Sequence, residues 1–167
     1  ESKALMEQFI WRDPPKCDWL IIRPTSIWGP YFGEPYRHFF EYILKGLYFH
    51  IGDNKCFKTY GYVGNTVYQI HKLLITNTKT SSNKVYYLGD DPAYEIGDWA
   101  NEIAKEIGKD LPLVPKFLVR AAAYVGDLLG SINVRFPMNS FRYYNMTLDG
   151  TNDLYEIGKI APNLPYT

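Results

Sequence analysis

Residues 18–30 read DWLIIRPTSIWGP and carry the clearest structural signal in the chain. The apolar run at residues 19–22 is short and continuous, and it ends just before Pro24. Such a run is typical of a strand that is buried on both faces, as in a parallel sheet. The next segment, residues 25–35, holds two Gly and two Pro and shows little periodicity. We therefore expect a buried strand followed by a loop.

Helix-like and strand-like segments alternate along the rest of the chain, which predicts an α/β fold. Apolar residues recur at helical spacing in residues 2–11, 36–46, 65–77, 95–108 and 115–130, and more weakly in residues 139–146 and 152–158. Strand-like runs occupy residues 47–52 and 56–63, which we expect to flank a turn, and residues 84–89. In the helix predicted at 65–77, Val67, Ile70, Leu73 and Leu74 are in phase, and Asn65 or Thr66 is the expected N-cap.

Composition excludes several classes of protein. Lys and Arg together number 18, as do Asp and Glu, so the formal net charge is zero. A balanced charge argues against an electrostatic nucleic-acid binder, which needs clustered cations. Apolar runs are far shorter than the roughly 20 residues that span a bilayer, so we expect no membrane partner. With two cysteines and no supported disulfide, a reducing cytoplasm is the default location. Fifteen Tyr and four Trp indicate half-buried aromatic packing or a pocket that stacks on rings or sugars.

Metal and thiol chemistry find no support in the residue spacing. Cys17 and Cys56 stand in different predicted elements, and no metal-ligand interval joins the histidines His38, His50 and His71. We therefore predict no metal site, and a disulfide is unsupported.

Two other features leave alternatives open. Asp90 and Asp91 follow a predicted strand; they could pair as acid and base, but a turn that caps the next helix is the better interpretation. Lys58, between Phe57 and Tyr60, is equally compatible with an anion clamp and with an exposed strand lysine. No phosphate-binding glycine loop is present.

Three segments in order resemble the extended short-chain dehydrogenase/reductases, the NAD-dependent epimerase/dehydratase family. DWLIIRPTSIWGP resembles the sixth strand of that family and its following loop. FHIGDNKCFKTYGYVGNTVYQI and KVYYLGDDPAYEIGDWANEIAKEIG are similar to later family segments, so the resemblance covers about residues 1–130. It implies the C-terminal part of a Rossmann-type parallel sheet with a small α/β substrate-binding domain.

The resemblance also assigns expected roles to individual residues near the cofactor. Lys3 matches the lysine of the catalytic Tyr-x-x-x-Lys signature, whose tyrosine would lie four positions earlier, before this sequence begins. The chain is thus expected to be a fragment. Pro24 and Thr25 match positions that border the nicotinamide, largely through their backbone. NAD or NADP is the implied cofactor.

The expected substrate-binding residues follow in the same way. Ser26 falls where many sugar-nucleotide enzymes carry a substrate-contacting Asn, and Phe49 and His50 match the short strand that flanks the nucleotide base. Lys58 falls where the family usually has an arginine that holds the substrate diphosphate; lysine keeps the charge but lacks the bidentate fork.

The domain organisation and activity implied by the resemblance complete the expectations. Residues 1–30 would end a truncated NAD(P)-binding Rossmann domain, and residues 31–167 would mainly form the substrate-binding domain, with one strand and one helix returning to the Rossmann part. The implied activity is hydride transfer at a sugar carbon of a nucleoside-diphosphate sugar. The fragment alone is expected to be inactive. The alternatives are reduction of a non-nucleotide hydroxy or keto compound, as in steroid or flavonoid reductases, and a non-catalytic dinucleotide-binding member. An uncovered sheet edge would favour a homodimer.

Overall fold

The strand predicted from DWLIIRP pairs in parallel with a strand more than sixty residues away, and this pairing organises half of the molecule. The structure is a computed structural model that describes residues 2–34, 37–76, 82–134 and 136–166. The chain divides into two compact units: unit 1 comprises Glu1–Pro30, Thr59–Asp91 and Asn152–Thr167, and unit 2 comprises Tyr31–Lys58 and Pro92–Thr151.

Among its described residues, unit 1 has two pairs of parallel strands and three helices. Its strands are β1 (Leu20–Pro24) with β6 (Lys84–Leu88), and β2 (Ser26–Trp28) with β5 (Tyr60–Tyr62). Its helices are α1 (Ser2–Arg12), α3 (Val63–Ile75) and α7 (Tyr155–Ile160). Apolar side chains from β6, α3 and α7 form the core: Leu73, Tyr86, Leu88 and Ile157. The predicted α/β class and the parallel strand are confirmed.

In unit 2, the part of the chain that the structure describes forms four helices and two short strand pairs. The helices are α2 (Arg37–Lys45), α4 (Ile96–Glu106), α5 (Lys116–Ser131) and α6 (Ser140–Thr147). Strand β3 (His50–Ile51) pairs in parallel with β8 (Leu113–Val114), and β4 (Phe57–Lys58) pairs antiparallel with β7 (Tyr94–Glu95). One core cluster joins β3 to α5 and α6, and another joins α2 to α4.

The prediction of a loop at residues 25–35 is wrong for the first part of this segment. Ser26–Trp28 forms β2 because it pairs with Tyr60–Tyr62, a segment that lies more than thirty residues away along the chain. The two strands expected around a turn are confirmed as β3 and β4, with the turn at residues 52–53 between them. Residues 56–63 form β4 and β5 and then enter α3, and neither strand pairs with β3.

The predicted helix caps are wrong as well. Helix α3 begins at Val63 with Tyr62 as its N-cap, and Asn65 and Thr66 lie buried inside its first turn. Helix α4 is capped by Glu95, whose carboxylate accepts from the Asp98 backbone N–H at 2.6 Å. Asp90 therefore does not cap the helix that follows it; it binds the start of the helix before it, as described below.

The two-domain assignment drawn from the resemblance stays a prediction. In the structure, residues 59–91 and residues 152–167 return to the unit that holds residues 1–30. In the part of the chain that the structure describes, no helix is long and apolar enough to cross a membrane. Within the same ranges, no group of three or more His, Cys, Asp or Glu side chains is placed to hold a metal ion.

Candidate functional site

Lys3 lies in the first turn of α1, and this helix has no buried residue. Its side chain is exposed, and among the described residues its ammonium has no hydrogen bond or ion pair. Exposed apolar side chains also cover this helix, including Phe9 at 67% exposure. Something other than core packing must therefore hold α1 in place.

An ion pair holds α1 against the sheet of unit 1. Arg23 of β1 donates from Nε to Glu7 Oε1 at 3.0 Å, and its Nη2 donates to Glu7 Oε2. The same guanidinium donates from Nη1 to the Tyr87 hydroxyl of β6 at 2.8 Å. The hydrogen bond from Arg23 lowers the pKa of Glu7, so the pair stays charged near neutral pH. This arrangement fixes the helix that carries Lys3 to both parallel strands.

Pro24 and Thr25 lie at the carboxyl end of β1, where parallel sheets usually bind ligands. The Thr25 N–H donates to Leu88 O at 2.9 Å, which continues the pairing with β6. Its Oγ1 is buried and, among the described residues, has no hydrogen-bond partner. A Cβ on Gly89 would lie 2.9 Å from this oxygen, so glycine is required there. The Thr25 side chain therefore points into the protein, which leaves the backbone for any ligand.

Ser26 is half-buried at the start of β2, directly opposite Tyr60 of β5. A Cβ on Gly61, the next residue of β5, would lie 2.8 Å from Thr66 Oγ1. This close packing of β5 against α3 holds the backbone around Ser26 in a fixed position.

A buried polar network lies just beyond the carboxyl end of β6. Asp90 accepts through Oδ2 from the Tyr62 N–H at 2.8 Å and through Oδ1 from Asn65 Nδ2 at 2.9 Å. Asn65 also exchanges two hydrogen bonds with the Tyr166 backbone, at 2.9 Å and 3.0 Å. One turn later, Gln69 bonds both backbone groups of Gly89, at 2.7 Å and 3.1 Å. The network ties the chain after β6, the start of α3 and the C-terminal segment together.

Sequence reasoning missed this network. The signal was present in the spacing of Asn65 and Gln69, which stand four residues apart on one helical face with Leu73. That face is the buried one, whereas Val67 and Leu74 of the predicted apolar stripe are 60% and 72% exposed.

In unit 2, Phe49 and His50 have structural partners of their own. Phe49 packs against the core cluster of Ile51, Val119, Ala123 and Tyr143. His50 Nε2 lies 2.9 Å from Asn101 Oδ1 of α4, so this nitrogen is the donor, and the ring meets Tyr48 edge-on. Phe49 thus serves packing, and His50 lies at the start of α4 next to Gly97.

Lys58 is half-buried in β4 rather than an exposed strand lysine. Its Nζ donates to Leu148 O at 2.6 Å, and a Cβ on Gly150 would lie 3.1 Å from the same nitrogen. The neighbouring Phe57 N–H donates to Asp149 Oδ1 at 2.8 Å, so residues 148–150 are bound along β4. An ammonium has three N–H donors, and because Leu148 O is its one acceptor among the described residues, two remain for an anion.

The predicted site residues therefore divide between the units. Unit 1 holds Lys3, Pro24, Thr25 and Ser26, and unit 2 holds Phe49, His50 and Lys58. Three of the first group follow one another at the end of β1, and the helix of Lys3 is fastened to the same strand. The roles expected for all seven residues stay predictions.

Comparison with known proteins gives one curated relative of weak similarity. A scan against models of protein families finds no match. The whole chain is 22% identical, over 170 residues, to the N-acetyl-alpha-D-glucosaminyl-diphospho-ditrans,octacis-undecaprenol 4-epimerase of Escherichia coli O157:H7, and it covers 51% of that protein.

Solved structures are similar over nearly the whole chain. A UDP-glucose 4-epimerase from Thermotoga maritima, solved with UDP-glucose, matches 99% of this chain with a TM-score of 0.59 at 16% identity. A UDP-glucuronic acid 4-epimerase from Bacillus cereus, solved with NAD, matches 99% with a TM-score of 0.60 at 12% identity. A human epimerase family protein, solved with NADPH, matches 99% with a TM-score of 0.65 at 12% identity.

These matches confirm the resemblance at the level of the fold. The chain has the α/β fold found in part of each of these epimerases, with parallel strand pairs and helices. It covers 44–50% of the length of the three solved proteins, so it spans about half of its relatives.

Proposed function

We propose that this chain supplies the substrate-binding part and one edge of the dinucleotide site of an NAD(P)-dependent oxidoreductase. The substrate would be a sugar carried on a nucleoside diphosphate. The observation that carries the proposal is the fastening of the Lys3 helix to β1 by the Glu7–Arg23 pair, with Pro24 and Thr25 at the carboxyl end of the same strand. The solved relatives named with NAD, NADPH and UDP-glucose support this interpretation.

The residues present fit one edge of a dinucleotide. The Lys3 ammonium is exposed and has no partner among the described residues, so it is available to a ribose hydroxyl. The Thr25 side chain is turned inward, so Pro24 and Thr25 would border the nicotinamide with backbone atoms. The sequence contains no phosphate-binding glycine loop, so we place the pyrophosphate contacts outside residues 1–167.

The chemistry follows from charge placement. When bound, NAD(P) takes a hydride from a sugar carbon or returns one to it. Lys3 would orient the nicotinamide ribose, and its positive charge would lower the pKa of the tyrosine expected four positions before it. An adjacent cation stabilises a phenolate relative to the phenol, whose ordinary pKa is about 10, and so makes it a usable base. Lys58 would bind the substrate diphosphate through the two N–H groups that Leu148 leaves free.

Lys58 offers the sharpest test of the substrate class. In the complete protein that carries this chain, we expect Lys58→Ala to raise KM for a UDP-sugar about tenfold or more while leaving kcat nearly unchanged, because a charge-assisted contact to the diphosphate is lost. Steady-state kinetics with UDP-glucose and UDP-glucuronic acid measure both constants. Lys58→Arg should keep the substrate affinity, since it restores the charge.

Lys109 provides the matched control. Its Nζ also donates to a backbone carbonyl, Leu44 O at 2.7 Å, in the same unit. Lys109→Ala should leave KM unchanged; an equal rise in KM in both variants would show that Lys58 acts through stability alone. Turnover of a steroid-like or flavonoid-like ketone without turnover of UDP-sugars would favour the reductase alternative. Dinucleotide binding without turnover of either would favour the non-catalytic one.

A second substrate deserves the same assay. The Escherichia coli relative is named for a sugar joined through a diphosphate to undecaprenol. Its diphosphate is the group that Lys58 is proposed to bind, so Lys58 alone does not distinguish the two carriers. Turnover of a polyprenyl-diphosphate sugar in preference to UDP-sugars would assign the lipid carrier.

A further inference from the structure

Helix α5 has apolar side chains on two opposite faces, and only one of them packs in the core. Val119, Ala123 and Gly126 are buried against α6 and the segment before it. The opposite face carries six exposed apolar or aromatic side chains, here called the outer face: Phe117, Leu118, Tyr124, Val125, Leu128 and Ile132. Phe117 and Leu128 are 69% and 70% exposed. A surface helix normally shows a single apolar stripe, so a second one indicates a binding surface.

The apolar character extends into the partner helix. Phe141 of α6 is 73% exposed, Tyr144 is 51% exposed, and Leu148 just after the helix is 57% exposed. Aromatic side chains with one polar end are typical of surfaces that meet both water and hydrocarbon. The α5–α6 pair therefore presents far more apolar surface than its own core requires.

Charge is segregated onto the same helix pair. The chain has a net charge of zero, yet the two helices contain three basic residues and one acidic residue: Lys116, Arg120 and Arg142 against Asp127. The Asp127 carboxylate is already engaged by Ser140, whose N–H donates to it at 3.1 Å and whose hydroxyl donates to the other oxygen. These hydrogen bonds lower the pKa of Asp127, so its carboxylate stays charged, and three cations against one anion leave the helix pair with a net charge of +2.

We propose that the outer face of α5, with its flanking cations, binds the surface of an anionic lipid bilayer. Apolar and aromatic side chains beside Lys and Arg are the pattern of helices that lie in the plane of the bilayer interface. With 16 residues, α5 is about 24 Å long, which is shorter than the roughly 30 Å hydrocarbon core. Binding along the surface is therefore the geometry that the helix allows. This replaces the expectation of no membrane partner, and it does not depend on the proposed reaction.

A second copy of this chain is the less favourable occupant. Two copies that meet through this face would bring two positively charged helix pairs together, which opposes association. An anionic lipid surface, in contrast, attracts each basic residue and also accepts the apolar side chains.

Flotation with lipid vesicles tests the proposal. The intact protein is mixed with vesicles of phosphatidylcholine alone or with about one third phosphatidylglycerol, and the bound fraction is measured across lipid concentrations. We expect binding to the anionic vesicles, weakened by raised salt because charge attraction is screened. Phe117→Ser and Leu128→Ser should each weaken binding about tenfold through lost apolar burial, and Arg120→Glu should weaken it at low salt.

Two equally exposed residues of unit 1 serve as matched controls. Phe9 on α1 is 67% exposed and Leu74 on α3 is 72% exposed. Phe9→Ser and Leu74→Ser should leave vesicle binding unchanged, and circular dichroism should show that all variants keep their helix content. No binding to anionic vesicles, or losses as large in the controls, would overturn the proposal. So would a dimer in sedimentation equilibrium that Phe117→Ser dissociates, because the outer face would then be an interface between copies.

Discussion

Asp90 shows how one carboxylate fixes the backbone next to the candidate site. Its side chain is buried, and both of its oxygens accept hydrogen bonds from the first turn of α3 or its N-cap. Because these bonds are buried, they matter for stability: a buried N–H donor that loses its acceptor lowers the free energy of unfolding. The carboxylate thus holds the chain after β6 close to α3.

We expect Asp90→Ala to lower the free energy of unfolding by about 2–4 kcal/mol, because it leaves the Tyr62 N–H and one N–H of the Asn65 amide without their acceptor. Urea denaturation followed by circular dichroism measures the loss. Asp91, the exposed next residue, is the control, and Asp91→Ala should change stability by no more than about 0.5 kcal/mol. If the two variants lost equal stability, the loss in Asp90→Ala could not be assigned to the broken hydrogen bonds of the buried network.

At the scale of elements, the packing of α5 depends on a glycine. A Cβ on Gly126 would lie 1.7 Å from the carbonyl oxygen of Met138, in the segment before α6. Because that neighbour is backbone, no side-chain rotation can relieve the overlap. The segment approaches α5 this closely only because position 126 has no side chain.

We expect Gly126→Ala to destabilise the protein by about 3 kcal/mol or more, since the segment at Met138 must move away from α5. Gly130, one turn later in the same helix, has open space where its Cβ would be. Gly130→Ala should therefore raise stability by up to about 1 kcal/mol through helix propensity. The midpoints of thermal unfolding compare the two variants. Similar losses in both would contradict the role assigned to the Met138 contact.

The elements also show what the sequence can and cannot predict. Helices α1 to α7 follow from helical periodicity and strands β1 and β6 from short apolar runs, and all of them are confirmed. Strands β2, β3, β4, β7 and β8 are two or three residues long, and their partners lie far away in the chain, so no local pattern determines their pairing. The buried face of α3 was missed for a related reason: it packs on Asp90 and on the Gly89 backbone, so polar residues occupy it.

For the candidate site, the sequence indicated which residues take part but not the tertiary contacts that hold them. Resemblance matched Pro24, Thr25 and Ser26 to a strand and its following loop; in the structure Pro24 ends β1, Thr25 follows it, and Ser26 begins a second strand, β2, in place of the loop. The bond between Lys58 and Leu148, and the Arg23 pair that holds α1, join residues 90 and 16 positions apart in the sequence. Contacts of this kind depend on the tertiary fold, which spacing along the chain does not reveal.

At the scale of the whole molecule, the chain passes between the two units four times, at residues 30, 58, 91 and 151. The core of unit 1 therefore joins Ile157 to Leu73 and Tyr86, which stand about seventy or more residues earlier. The parallel pair β1–β6 in unit 1 is two-stranded among the described residues. A parallel sheet of this kind is normally wider and covered on both faces.

This organisation leads to an expectation about dinucleotide binding. Tight binding of NAD requires a glycine-rich turn and a helix N-terminus at the pyrophosphate, in addition to contacts at the nicotinamide. Residues 1–167 contain no such glycine loop, and the chain spans about half of its solved relatives. We therefore expect residues 1–167, produced alone, to bind NAD with a Kd weaker than about 100 μM.

Isothermal titration calorimetry of residues 1–167 with NAD and with NADPH measures this affinity. The UDP-glucuronic acid 4-epimerase of Bacillus cereus, solved with NAD, is the positive control in the same buffer. Binding near 1 μM by residues 1–167 would contradict the expectation, and it would locate a complete dinucleotide site within this chain. Weak binding that Lys3→Ala abolishes would instead support one edge of a site, since the exposed ammonium would then contribute a contact that the rest of the chain cannot replace.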